Sequence, residues 1–129
     1  MKLVLDTNAY CHCQNQNETV LRNVSRAQFL YLPIVVYAEL YYGFKNGNRF
    51  SDNMDQLKKF IEQFNVDCVE INQDIAERFA EILLHLKKKG KPIPTNDVWI
   101  AATTMSLGGT LLTADAHFSH LPQIRVENI

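Results

Sequence analysis

Near the start of the chain a short apolar run, Leu3-Val4-Leu5, gives way at once to Asp6-Thr7-Asn8 with no polar residue inside the run. Such a run suits a strand buried on both faces of a parallel sheet, where apolar and polar residues need not alternate. Its first polar residue then marks the strand's carboxyl end. In open α/β sheets that edge is where ligands bind, which makes Asp6 a candidate site residue. Asp, Thr and Asn are also ordinary helix-start residues, and from these three alone capping of the next helix is an equally good reading.

A chain of 129 residues, 47% hydrophobic and 21% charged, is expected to form one globular domain spanning residues 1–129. Its formal net charge of -1 argues against holding nucleic acid through broad charge alone, though not against a local basic patch beside a metal site. Cys11, Cys13 and Cys68 cannot complete a disulfide framework, and no charged-then-apolar leader precedes the first strand. A reducing cytoplasm is therefore expected. No apolar run approaches bilayer-spanning length, so no membrane association is expected.

Along the chain, helical and strand patterns alternate. Cys11-His12-Cys13 stands where an apolar helix face would be expected, but no second Cys/His pair lies at zinc-site spacing, and partly buried thiols are the simpler reading. Residues 19–27 read as a helix, 28–33 as a compact strand, and 35–44 as a helix whose apolar and aromatic company includes Glu39. A carboxylate in such company is seldom buried without a partner; the plain alternative is that it points to solvent. Residues 51–64 form an amphipathic helix and 66–71 a short strand. The helix over 73–89 is expected to turn Ile75, Phe79, Ile82, Leu83 and Leu86 inward, with Asn72 as its cap and Gly90 as its stop. Thr95-Asn96-Asp97 offers three capping residues for an apolar helix running to Leu107. A brief strand, Thr110 to Thr113, then delivers Asp115, and Ile124 to Val126 is a possible edge strand. His117 and His120 fall in a turn-like region, where a surface or packing role is the favoured reading over metal binding.

Four acids thus share one logic. Asp6 and Asp115 follow strands, Asp97 starts a helix, and Glu39 faces inward from another. Strands joined by right-handed helical crossovers form a parallel sheet, which puts the first and fourth strand ends on the same edge. Carboxylates converging there repel one another and lose solvation unless a divalent cation or hydrogen-bond donors offset the charge. Oxygen ligands favour Mg²⁺ or Mn²⁺ over zinc. The chemistry such a site serves best is in-line attack of a metal-activated water on a phosphodiester.

At these residues the chain resembles the PIN domain, and most of all the VapC-type toxins of prokaryotic toxin–antitoxin pairs. The resemblance is carried by Leu5-Asp6-Thr7-Asn8, by Ala38-Glu39-Leu40 with Gly43, by Asn96 to Ala102, and by Leu112 to Phe118, in that order over nearly the whole chain. It implies a three-layer α/β/α fold with a central parallel sheet of four to five strands. It also implies a metal-dependent endoribonuclease site of Asp6, Glu39, Asp97 and Asp115, using Mg²⁺ or Mn²⁺. Asp6, Asp97 and Asp115 would be the metal ligands, Asp6 and Asp97 the most direct of them, and Asn8, Asn96 and Thr113 supporting polar groups. RNA as substrate, a homodimer and a cognate antitoxin covering the groove follow from the same resemblance, with Tyr37, Tyr41, Tyr42 and Phe44 available to an interface or to core packing. Cys11-His12-Cys13 is a departure, since family members often carry more aliphatic residues there. The alternatives are an RNA-processing nuclease of the same family without an antitoxin, and a PIN-like RNA-binding module without activity. A phospho-acceptor receiver domain and a dinucleotide-binding domain fit less well, because the acid and lysine placement and the glycine-rich turn they require are missing.

Overall fold

The computed structural model describes residues 1–129. Five strands, β1 (Lys2–Leu5), β2 (Phe29–Pro33), β3 (Asp67–Val69), β4 (Thr110–Thr113) and β5 (Arg125–Asn128), form one sheet in the order β3-β2-β1-β4-β5. Every neighbouring pair is parallel. Six helices flank the sheet: α1 (Thr7–Gln14), α2 (Glu18–Arg26), α3 (Ile34–Lys45), α4 (Phe50–Gln63), α5 (Gln73–Lys89) and α6 (Thr95–Leu107), and a 3₁₀ turn covers Ala116–His120. The expected α/β architecture with a central parallel sheet is therefore the observed one. No helix is long and apolar enough to cross a membrane.

The sheet order explains why the opening run has no polar alternation. β1 is the central strand, and Leu3, Val4 and Leu5 are fully buried because helices cover both faces. The chain builds outward from β1 through β2 to β3, then returns to lay β4 and β5 on the opposite side. The order reverses between β1 and β4, and a crevice opens at the carboxyl ends of strands at such a reversal. Leu5 pairs with Leu112 across that boundary, so the residues that follow each strand emerge side by side.

Local details correct several expectations. α1 begins directly after Asp6, so Cys11-His12-Cys13 lies on a helix with Cys13 buried and Cys11 exposed. The ligand atoms that cluster closely enough to hold a metal belong to other residues, Asp97, Asp115 and His117. On α5, Ile75, Ile82 and Leu86 are buried, but Leu83 is 46% exposed, against expectation. Leu83 sits about 100° around the helix from Ile82, and the stripe that meets α6 is too narrow to include both. Within that stripe Phe79 stacks on Trp99 at 3.8 Å between ring centroids. The N-cap of α6 is Pro94, with no side-chain cap bond, so Thr95, Asn96 and Asp97 occupy the first turn instead of capping it. That difference leaves the Asn96 and Asp97 side chains available for contacts outside their own helix.

Candidate active site

Asp6 caps the next helix, as one reading of the opening motif expects, and it also stands where β1 and β4 end side by side. It is the N-cap of α1, accepting the Ala9 N–H at 2.7 Å, and its second oxygen accepts the Thr113 hydroxyl at the end of β4. The residue is only 5% exposed. Burial raises its pKa, the bonds from Thr113 and Ala9 oppose that rise, and the nearby Asp115 and Asp97 carboxylates add to it.

The other acids arrive from three elements. Glu39, half-buried on α3, accepts the Thr7 hydroxyl at 2.6 Å and the Asn96 side-chain amide at 3.5 Å. Asp97 projects from the first turn of α6, where the helix dipole favours negative charge. Burial nonetheless raises its pKa, against the lowering effect of His117, with repulsion from Asp115 and Glu39 adding to the rise. Asp115 caps the 3₁₀ turn by accepting the His117 N–H at 2.9 Å, while its own N–H donates to the Thr113 hydroxyl oxygen at 2.9 Å. Thr113 thereby links Asp6 to Asp115, one strand to the next.

Of the supporting residues read from sequence, Asn96 and Thr113 make these contacts, whereas Asn8 is exposed and stands apart from them. His117 is the residue that sequence reasoning undervalued. Its Nδ1 lies 3.0 Å from an Asp97 oxygen and 3.1 Å from an Asp115 oxygen, and Asp97 chiefly holds its pKa above the usual imidazole value. Its position two residues after Asp115, on the turn that Asp115 caps, was the available signal.

The donor set fits a divalent cation. One ligand atom from each of Asp97, Asp115 and His117 lies within 4.8 Å of the other two. An octahedral ion with ligands at about 2.1 Å has donors about 3 Å apart at adjacent positions and about 4.2 Å apart across the ion. Asp6 is not in that tight group, although the charges of both aspartates act on it.

These shifts fix a sign for pH dependence. Asp6 and Asp97 have folded pKa values raised above 3.8, so metal-free protein loses stability as pH climbs from 3.8 through those raised values. His117, raised above 6.5, contributes stability fully below 6.5 and loses it as pH rises through its folded value. Thermal melts in chelator from pH 4 to 8 are expected to show a falling Tm, and Asp6→Asn is expected to flatten the acidic part of that fall. A Tm that rises steadily over this range would contradict the electrostatics of the cluster.

The PIN domain family matches this chain over residues 3–124. The chain is a PIN-domain protein. Nucleases of this family generally use a divalent metal, in accord with the acidic cluster. Ribonuclease VapC1 of Haemophilus influenzae strain R2866 is 29% identical over 117 residues, covering 88% of this chain and 86% of that protein. The solved structure of VapBC-1 from nontypeable Haemophilus influenzae superposes with a TM-score of 0.87 at 26% identity, over 99% of this chain and 98% of the other. VapBC2 from Rickettsia felis, solved bound to a DNA fragment from its promoter, has a TM-score of 0.90 at 22% identity, over 100% of this chain and 99% of the other, and shares the PIN fold.

Proposed function

We propose that this PIN domain, taken as residues 1–129, is a metal-dependent endoribonuclease and the toxin of a toxin–antitoxin pair. The observation that carries the reading is the convergence of Asp6, Glu39, Asp97 and Asp115, from four different elements, at the sheet's switch point. Asp97 and Asp115 are assigned as direct holders of Mg²⁺ or Mn²⁺, and Asp6 as the third carboxylate of the metal set. A cation bound there supplies a water of lowered pKa and offsets charge on the phosphoryl oxygens. Glu39, oriented by Thr7 and Asn96, is assigned to receive the proton of the attacking water. Thr113 keeps Asp6 and Asp115 in register, and Asn8 is left as a polar group at the rim.

Beside Glu39 lies a groove of ≈ 630 Å³ lined by Thr7, Val35, Ala38, Tyr42 and Asn96. Tyr42 is 71% exposed on its wall. An exposed ring next to the reacting acids is a platform on which an unpaired base can stack, a contact worth roughly 1–3 kcal/mol. Tyr42→Ala is therefore expected to raise KM for single-stranded RNA by on the order of tenfold with an unchanged melting temperature. An unaltered KM would remove Tyr42 from the substrate path. Of the basic residues that could grip RNA, Lys45 lies 4.5 Å from the Phe50 ring centroid and Arg49 pairs with Asp52 at 3.4 Å, leaving Lys89 and Lys91 more available.

Antitoxin binding and homodimer formation are further parts of the proposal: the first is supported by the similar VapBC structures, one of them from a toxin–antitoxin system, and exposed apolar side chains at Tyr41, Tyr42, Leu83 and Leu84 offer surface for either. Tyr37 and Phe44, in contrast, pack against the core. Three free thiols suit a reducing cytoplasm. The test is incubation of purified, antitoxin-free chain with total RNA in chelator and then in added Mg²⁺ or Mn²⁺. Cleavage only with metal is expected, and cleavage that persists in chelator would overturn the metal-dependent reading.

A further inference from the structure

We propose that His117 is a nitrogen ligand of the divalent cation at this site and that it biases the site toward Mn²⁺ over Mg²⁺. This rests on the metal-dependent reading given above and adds a donor that the four-acid pattern does not contain. The His117 Nδ1 stands 3.0 Å from Asp97 Oδ2 and 3.1 Å from Asp115 Oδ1. Those separations match adjacent corners of an octahedron whose ligands lie about 2.1 Å from the ion.

The backbone presents the ring for this role. The His117 N–H donates to Asp115 Oδ1 at 2.9 Å, so the carboxylate that caps the turn also fixes where the imidazole starts. Phe118, the next residue, is buried and anchors the turn in the core. The His117 side chain is 47% exposed, so coordination requires no burial of an uncompensated group. Bound through Nδ1, the neutral ring carries its proton on Nε2, and the donor set gains one imidazole beside its carboxylates.

Such a donor set departs from the all-oxygen coordination that Mg²⁺ prefers. Imidazole suits transition metals, and affinity for mixed nitrogen and oxygen sites rises from Mn²⁺ along the first row. The same distances also suit a protonated His117 that simply pairs with both acids, and the experiment separates the two.

Metal-stripped chain, without RNA, is titrated with Mn²⁺ and separately with Mg²⁺ by calorimetry, and the Mn²⁺ complex is examined by pulsed electron paramagnetic resonance for directly bound ¹⁴N. Wild type is expected to bind Mn²⁺ about tenfold or more tightly than Mg²⁺ and to show the ¹⁴N modulation. His117→Ala is expected to lose that modulation and to weaken Mn²⁺ binding on the order of tenfold, with Mg²⁺ affinity changed much less. A wild-type complex without ¹⁴N modulation, or a Mn²⁺ to Mg²⁺ ratio unchanged in His117→Ala, overturns the assignment of His117. Asp97→Asn is the control for the underlying site: if it binds both metals as wild type does, the metal centre itself is misplaced, whatever His117 does.

Discussion

Asp97→Asn is expected to lower metal-dependent RNA cleavage on the order of a thousandfold while the protein stays folded. The substitution preserves size and leaves the first turn of α6 intact, because that turn is held by the Pro94 carbonyl and not by the Asp97 side chain. What it removes is one of the two carboxylates closest to His117, and with it the charge a divalent cation needs. It also removes a group that burial and the neighbouring Asp115 and Glu39 carboxylates disfavour in its ionised form. The metal-free variant should therefore melt no lower than wild type even though activity is lost. Paired measurements of cleavage rate and melting temperature check this, and a variant that keeps more than about a tenth of wild-type activity would remove Asp97 from the centre of the mechanism.

Phe118→Ala is expected to have the largest effect on stability among residues near the site. Phe118 is 1% exposed and is the buried residue of the 3₁₀ turn that carries His117. Truncating a buried Phe to Ala costs about 3–5 kcal/mol, a large share of the roughly 5–15 kcal/mol that holds a typical domain together. With a urea m-value of about 1–3 kcal/mol/M, the unfolding midpoint should fall by one to several molar units. The loss should also loosen the turn that places Asp115 and His117 against Asp97. A change below about 1 kcal/mol would mean that the turn is held by something other than this side chain.

The parts of the fold that were legible in sequence are those governed by local pattern. The apolar run at β1 gave a doubly buried strand because its burial is total and leaves no polar position inside it. α5 was legible to the residue, Gln73–Lys89, because Asn72 caps it through the Ile75 N–H and Gly90 ends it in the left-handed conformation. Asp6 and Asp115 were legible because each follows a strand and parallel topology brings those strand ends to one edge, whereas Glu39 and Asp97, on helices, were joined to them by the resemblance to the PIN domain.

Other features depend on contacts far apart in sequence. Leu83 reads as a core residue until the packing of α5 on α6 narrows the buried stripe. Thr95 to Asp97 read as caps, but Pro94 takes the cap position and turns their side chains to other uses. Thr113 could be guessed as a supporting group, while the hydrogen bond its hydroxyl donates to Asp6 depends on β1 and β4 being neighbours. His117 was named but read as a surface or packing residue: a histidine in a turn has no helical or strand period to reveal it, and its contact with Asp97 depends on where α6 places that residue.

The most direct single measurement is RNA cleavage by the purified chain with Mn²⁺ in ¹⁸O-labelled water, with the product termini read by mass spectrometry. Direct attack of an activated water predicts linear phosphate ends carrying one ¹⁸O, because the new bond to phosphorus comes from solvent. Products ending in unlabelled 2′,3′-cyclic phosphate would show that the ribose hydroxyl had attacked instead, and would contradict the mechanism assigned to these four acids.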